Sequence, residues 1–147
     1  MDNSYFTSKQ VVEETVYYTL AWSGLAKVDK FEIIKKVPAM SGIFQLFYED
    51  KYKKPIIMYM ARVWYGGLRA ILREITDPLL TGDVNRRQVL ETRSCYYRYT
   101  QVASQEDMED LIHYLGLRIL PPSQVPPPSG RFEEIYVQEI GEALIEG

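Results

Sequence analysis

Arg69 and Arg73 stand four residues apart, directly after a Trp64-Tyr65-Gly66-Gly67 turn. That combination suits an anion. A helix starting at the glycines would carry both guanidinium groups on one face, and glycine turns leave backbone N–H groups open to a phosphate. Arg69, Arg73, Gly66 and Gly67 are therefore the candidate phosphate-binding residues. The plainer alternative is an exposed helix pair behind a turn that simply needs glycine. A second cationic set, Arg86, Arg87, Arg93 and Arg98, lies close in sequence to Tyr96, Tyr97 and Tyr99. Cations beside aromatic rings can track a phosphate backbone and stack on bases, although a sheet uses such residues in any case.

Other reactive side chains are few. The one cysteine, Cys95, forms no internal disulfide and fits a reducing compartment. Between strand tyrosines it reads as a buried, inert thiol. The one histidine, His113, excludes a multi-histidine metal site and reads as a surface helix residue.

The elements that would position these residues follow from periodicity. Ser8 to Ala26 reads as a helix, with Val12, Val16 and Leu20 on one side. Phe31 to Lys36 reads as a short strand or linker before Pro38. Gly42–Tyr48 and Pro55–Trp64 are apolar runs joined by a charged turn, the pattern of an antiparallel hairpin. Leu68, Ile71, Leu72 and Ile75 predict an amphipathic helix. A second short helix follows over Asp83–Glu91, then a strand over Cys95–Val102. Ser104 caps a further helix with Met108, Leu111, Ile112 and Leu115 on its apolar side. Pro121 to Ser129 reads as an extended arm, and Ile135, Ile140 and Leu144 as the face of a last helix.

Gly42-Ile43-Phe44, Tyr59-Met60-Ala61 and Arg69, in the order strand, strand, helix, strand, helix, resemble the core of the GIY-YIG nuclease superfamily. The resemblance covers about half of the chain. It implies an α+β fold: a small mixed or antiparallel three-stranded sheet flanked by helices, as a ββαβα core over residues 41–118 of a single 147-residue domain. An N-terminal helix and lead-in over 1–40 and a proline-rich crossover with a C-terminal helix over 119–147 complete the expected architecture.

The resemblance also implies a site. In that family one tyrosine helps to activate the attacking water, and a second tyrosine, a helix arginine and a metal-holding glutamate complete the machinery. Position by position, Phe44 stands at the first tyrosine, Tyr59 at the second, and Arg69 at the arginine. Tyr59 and Arg69 are the implied catalytic residues, and Glu109 the implied ligand of magnesium or manganese. Phe44 has no hydroxyl to relay a proton. Arg73 stands where a histidine is often found, Ala61 replaces a glycine, and no asparagine candidate follows Glu109.

Bulk charge separates the remaining choices. The formal net charge is -3, which does not favour a strongly electrostatic nucleic-acid binder. It is unevenly spread: residues 43–100 hold ten bases and six acids, and residues 101–147 nine acids and two bases. Either the centre is an anion-binding face or the acidic tail folds over it. The sequence begins without a signal-peptide pattern, and its longest uncharged apolar-rich run, Pro55–Ala61, is too short for a bilayer. A cytoplasmic protein without membrane contact is expected. Three functions remain: a GIY-YIG-like binding or scaffolding module without nuclease activity, with nucleic acid as a candidate ligand; an active divalent-metal-dependent endonuclease; and a subunit that binds a protein partner.

Overall fold

The N-terminal segment forms strands. In the computed structural model, which describes residues 5–141, β1 (Thr7–Val12) and β2 (Thr15–Ala21) are an antiparallel hairpin turning at Glu13, whose φ is 56°. The expected helix over Ser8–Ala26 is therefore corrected. Val12, Val16 and Leu20 repeat every four residues, which satisfies a period of two as well as one of 3.6. Tyr18 decides between them: Val16, Tyr18 and Leu20 are buried while Tyr17 is exposed. The dense β-branched and aromatic content of Thr15–Thr19 favours the same outcome.

After β3 (Ala26–Lys27), Asp29 accepts hydrogen bonds from the amides of Phe31 and Glu32 and starts α1 (Lys30–Lys36). This segment is a helix rather than a strand or linker, and it stops at Val37 before Pro38. The central elements follow the reading closely: β4 (Gly42–Glu49), β5 (Pro55–Val63), α2 (Gly67–Ile75), α3 (Val84–Thr92), β6 (Cys95–Gln101) and α4 (Gln105–Ile119). Ser104 caps α4 by accepting from the amide of Asp107. The proline arm carries one short 3-10 turn, Pro122–Gln124. The expected last helix is a strand, β7 (Glu134–Ile140), in which Ile135, Val137 and Glu139 alternate with more exposed neighbours. Leu144, placed on that helix by its spacing, lies outside the described residues.

The fold is α+β, with two sheets rather than one of three strands. The first has the order β1-β2-β7, with β2 and β7 parallel. The second has the order β3-β6-β4-β5, antiparallel throughout. On one side of the second sheet, Phe44, Leu46, Tyr97 and Tyr99 pack with Ile33 of α1 and Leu68 and Leu72 of α2. On the other side, α4 joins the two sheets through Val16, Tyr18, Leu20, Ile43, Met108 and Leu111. Burial of such large apolar side chains, at roughly 2 kcal/mol each, is the main force holding these layers. Among the described residues no helix is long and apolar enough to cross a membrane.

Candidate binding groove beside an edge strand

The Gly-Ile-Phe strand sits where β4 must meet β6 closely. A Cβ on Gly42 would stand 2.2 Å from the carbonyl oxygen of Thr100 and 2.8 Å from Leu68 Cδ1. Two residues on, Phe44 is fully buried, and its ring lies 5.8 Å from that of Tyr59. Tyr59 comes from β5, where it pairs with Leu46. Its other side meets the guanidinium of Arg86, 4.2 Å from the ring centre.

Tyr59 and Glu109 line one cavity of about 450 Å³, with Arg62, Trp64, Tyr65 and Ile71 on the same walls. Two of the sequence-predicted residues are thus brought together, by a strand and a helix far apart in the chain. Among the described residues Glu109 is the one carboxylate on that wall, and the Arg62 guanidinium shares the space. Among the described residues, no three of His, Cys, Asp and Glu cluster as metal ligands.

Arg69 and Arg73 are not on these walls. Arg69 Nε donates to the carbonyl oxygen of Val37 at 2.7 Å, tying α2 to the end of α1. Arg73 Nε is buried without a hydrogen-bond partner among the described residues. Gly66 and Gly67 both have positive φ, 84° and 80°, and a Cβ on Gly67 would stand 2.9 Å from the carbonyl carbon of Ala39. Two of the α2 amides that would greet an anion are already used. Leu68 N donates to Met40 O at 2.9 Å and Arg69 N to Pro38 O at 3.3 Å. The glycine turn thus seats α2 against the 38–40 segment.

The second cationic set is dispersed in the same way. Arg98 is buried, donates from Nε to Gln45 Oε1 at 2.8 Å, and stacks 4.3 Å from the Trp22 ring. Burial drops its pKa to about 10, against the opposing pull of Glu139. Tyr97 and Tyr99 are buried too, so they offer no stacking surface. Arg93 lies over Tyr48, and Arg86 and Arg87 bond to Thr81. Burial pushes the Cys95 thiol up to about 11, as expected of an inert cysteine. His113 is half-buried, and its Nδ1 donates to Pro126 O at 2.8 Å, so it anchors the proline arm rather than facing solvent.

Among the described residues the acids of the tail pair chiefly outside the basic centre. Asp107 and Asp110 pair with Lys9 and Arg131, and Glu139 with Arg118 and Arg98. Arg98 is the only central cation in these pairs among the described residues. One group escaped the sequence reading altogether. Asp110, with no exposed surface, accepts from Tyr18 Oη at 2.6 Å, the Ser129 amide at 2.8 Å and Arg131 at 3.0 Å. Burial favours its neutral form, but these three hydrogen bonds outweigh it and hold the carboxyl below the ordinary range. The available signal was an acid falling among the apolar positions of α4.

The second feature missed is the edge itself. β5 pairs with β4 alone among the described residues, and two cavities meet along it. One is the Tyr59–Glu109 space. The other, about 470 Å³, lies between β5 and α4 and is walled by Met60, Ile112, Ile119, Leu120 and Pro126. Tyr59, Ala61 and Arg62 belong to both. Comparison with the curated proteins and with the solved structures gives no match. A family model does match, over residues 6–145, and the chain belongs to that family, which is described as "Uncharacterised protein".

Proposed function

We propose that this chain is a GIY-YIG-like binding module without phosphodiesterase activity, whose ligand lies along β5. The observation that carries this reading is Phe44. At the position of the water-activating tyrosine the side chain has no hydroxyl and no access to solvent. The commitment of Arg69 to the Val37 carbonyl, away from the Tyr59–Glu109 cavity, supports the same reading. A near-attack geometry needs nucleophile, cation and metal around one reacting atom. The composition of the groove supports binding: Arg62, Trp64 and Tyr65 are exposed side chains of the kinds that anchor interfaces.

The test is a cleavage assay of the full chain on plasmid, branched DNA and single-stranded RNA, with magnesium and with manganese. No cleavage above background is expected. Metal-dependent cleavage that vanishes in Arg69→Ala would overturn the reading in favour of an active endonuclease. That alternative draws its support from the cavity shared by Tyr59 and Glu109.

A further inference from the structure

The four-stranded sheet treats its two edges differently. Along β6, Gln101 N donates to Tyr5 O, Ser23 N to Tyr99 O and Val28 N to Cys95 O, each within 2.9 Å, and β3 pairs in between. Among the described residues β5 has no such cover. Its beginning is guarded in the ways edge strands are usually guarded: Lys53 and Lys54 precede it, Pro55 opens it, and the pairing slips a register opposite Leu46 and Phe47. From Tyr59 to Val63 the register is regular and none of these guards recurs; the one charge is Arg62. An edge strand presents the N–H and C=O of every other residue outward, an unfilled ladder about 3.4 Å per residue long.

The surroundings of that stretch select the class of ligand. Two recesses open beside it, an apolar one against Ile112 and Leu120 and a mixed one in which Ile71 shares the wall with Gln105 and Glu109. A phosphate backbone, charged at every nucleotide, would find one cation there, Arg62. An extended polypeptide would find a ladder, recesses for side chains beside it, and one cation free of ion pairs among the described residues.

Resting on the binding-module reading, we propose that Tyr59–Val63 is a docking edge for an extended segment of a partner protein. The segment adds to the sheet as a further strand, places the apolar side chains of one of its faces into a recess, and sets one carboxylate from its other face on Arg62.

The probe is a pool of synthetic octapeptides with Val, Ile or Leu at alternate positions and Glu, Lys or Ser between them, offered to the full chain. Glutamate-containing peptides should be enriched over lysine-containing ones by about tenfold. Methylating alternate backbone amides of an enriched peptide should abolish binding in one of the two phases, and the amides of Tyr59–Val63 should exchange more slowly in the complex. Arg62→Glu, an exposed substitution whose folding is checked by circular dichroism, should reverse the preference towards lysine. The proposal is overturned by an absence of enrichment, by binding that survives methylation in both phases, or by a glutamate preference that persists in Arg62→Glu. It is also overturned if a single-stranded oligonucleotide displaces the peptide and protects the same amides. A dimer seen by sedimentation, with those amides protected before any peptide is added, would give the edge to a second copy instead. A chain that binds no peptide and cuts no DNA loses this ligand but keeps the binding-module reading; metal-dependent cleavage removes that reading itself.

Discussion

A hydroxyl at position 44 would have no access to water. Phe44 is enclosed by Leu46, Leu68, Leu72 and the Tyr59 ring, so Phe44→Tyr would bury an oxygen in an apolar layer. We expect it to lower stability by about 1–3 kcal/mol, read from urea unfolding, and to confer no metal-dependent cleavage. A stable variant that cuts DNA would show that only the hydroxyl is missing. Single residues were legible to different depths. The identity of Phe44 could be read directly, and the burial of Cys95 followed from its strand neighbours. The engagement of Arg69 could not be read, because its acceptor lies 32 residues upstream on a loop that periodicity does not place. A helical arginine offers the same side chain to a phosphate and to a carbonyl.

Elements that carry one clear period were legible, and elements that satisfy two were not. Leu68, Leu72 and Ile75 fit only a helix, and the β4–β5 hairpin is bounded by a charged turn. The N-terminal hairpin failed because a spacing of four suits either structure, and β7 failed because its inward positions include an acid, Glu139. That glutamate points inward because Trp22, Arg98 and Arg118 are there to meet it. Gly42 gives a prediction at this scale. Its missing side chain lets β4 approach β6, and the first obstacle to a Cβ is backbone, which cannot swing aside. Gly42→Ala should cost about 3 kcal/mol, the upper end of the usual penalty for overfilling a core. Gly24→Ala, where nothing lies within 4 Å, should cost far less. Equal thermal shifts for the two variants would count against a close approach of these strands.

At the scale of the molecule, Asp110 joins segments that are distant in sequence: β2 through Tyr18, and the end of the proline arm through Ser129 and Arg131. Neighbouring Asp107 adds Lys9 of β1. Because folding lowers the pKa of Asp110, the folded state favours its charged form. The stability it contributes is complete above the ordinary carboxylate pKa, about 3.9, and is lost as the pH falls through the lower folded value. Wild-type stability should therefore drop steeply below about pH 4. Asp110→Asn should flatten that acid limb, while Asp110→Ala at neutral pH should cost about 1–3 kcal/mol by removing the acceptor of the Ser129 amide, Asp107 keeping its bonds to Arg131 and Tyr18. An unchanged acid limb in Asp110→Asn would assign the acid sensitivity to other carboxylates. The charge imbalance between centre and tail was visible in the sequence, but not the direction of its acids, which bind the N-terminal and C-terminal segments to each other.

The parallel pairing of β2 with β7 has a consequence for the order of events as the chain is made. The β1–β2 hairpin leaves the ribosome well before β7, with one side of β2 bare. Its neighbour there is β7, Thr15 opposite Glu134 and Ala21 opposite Ile140. Val16, Tyr18 and Leu20 likewise wait for α4 to cover them. A segment made well ahead of its partners is thus finished late, and until they emerge it exposes a sticky, aromatic hairpin to whatever holds nascent chains apart.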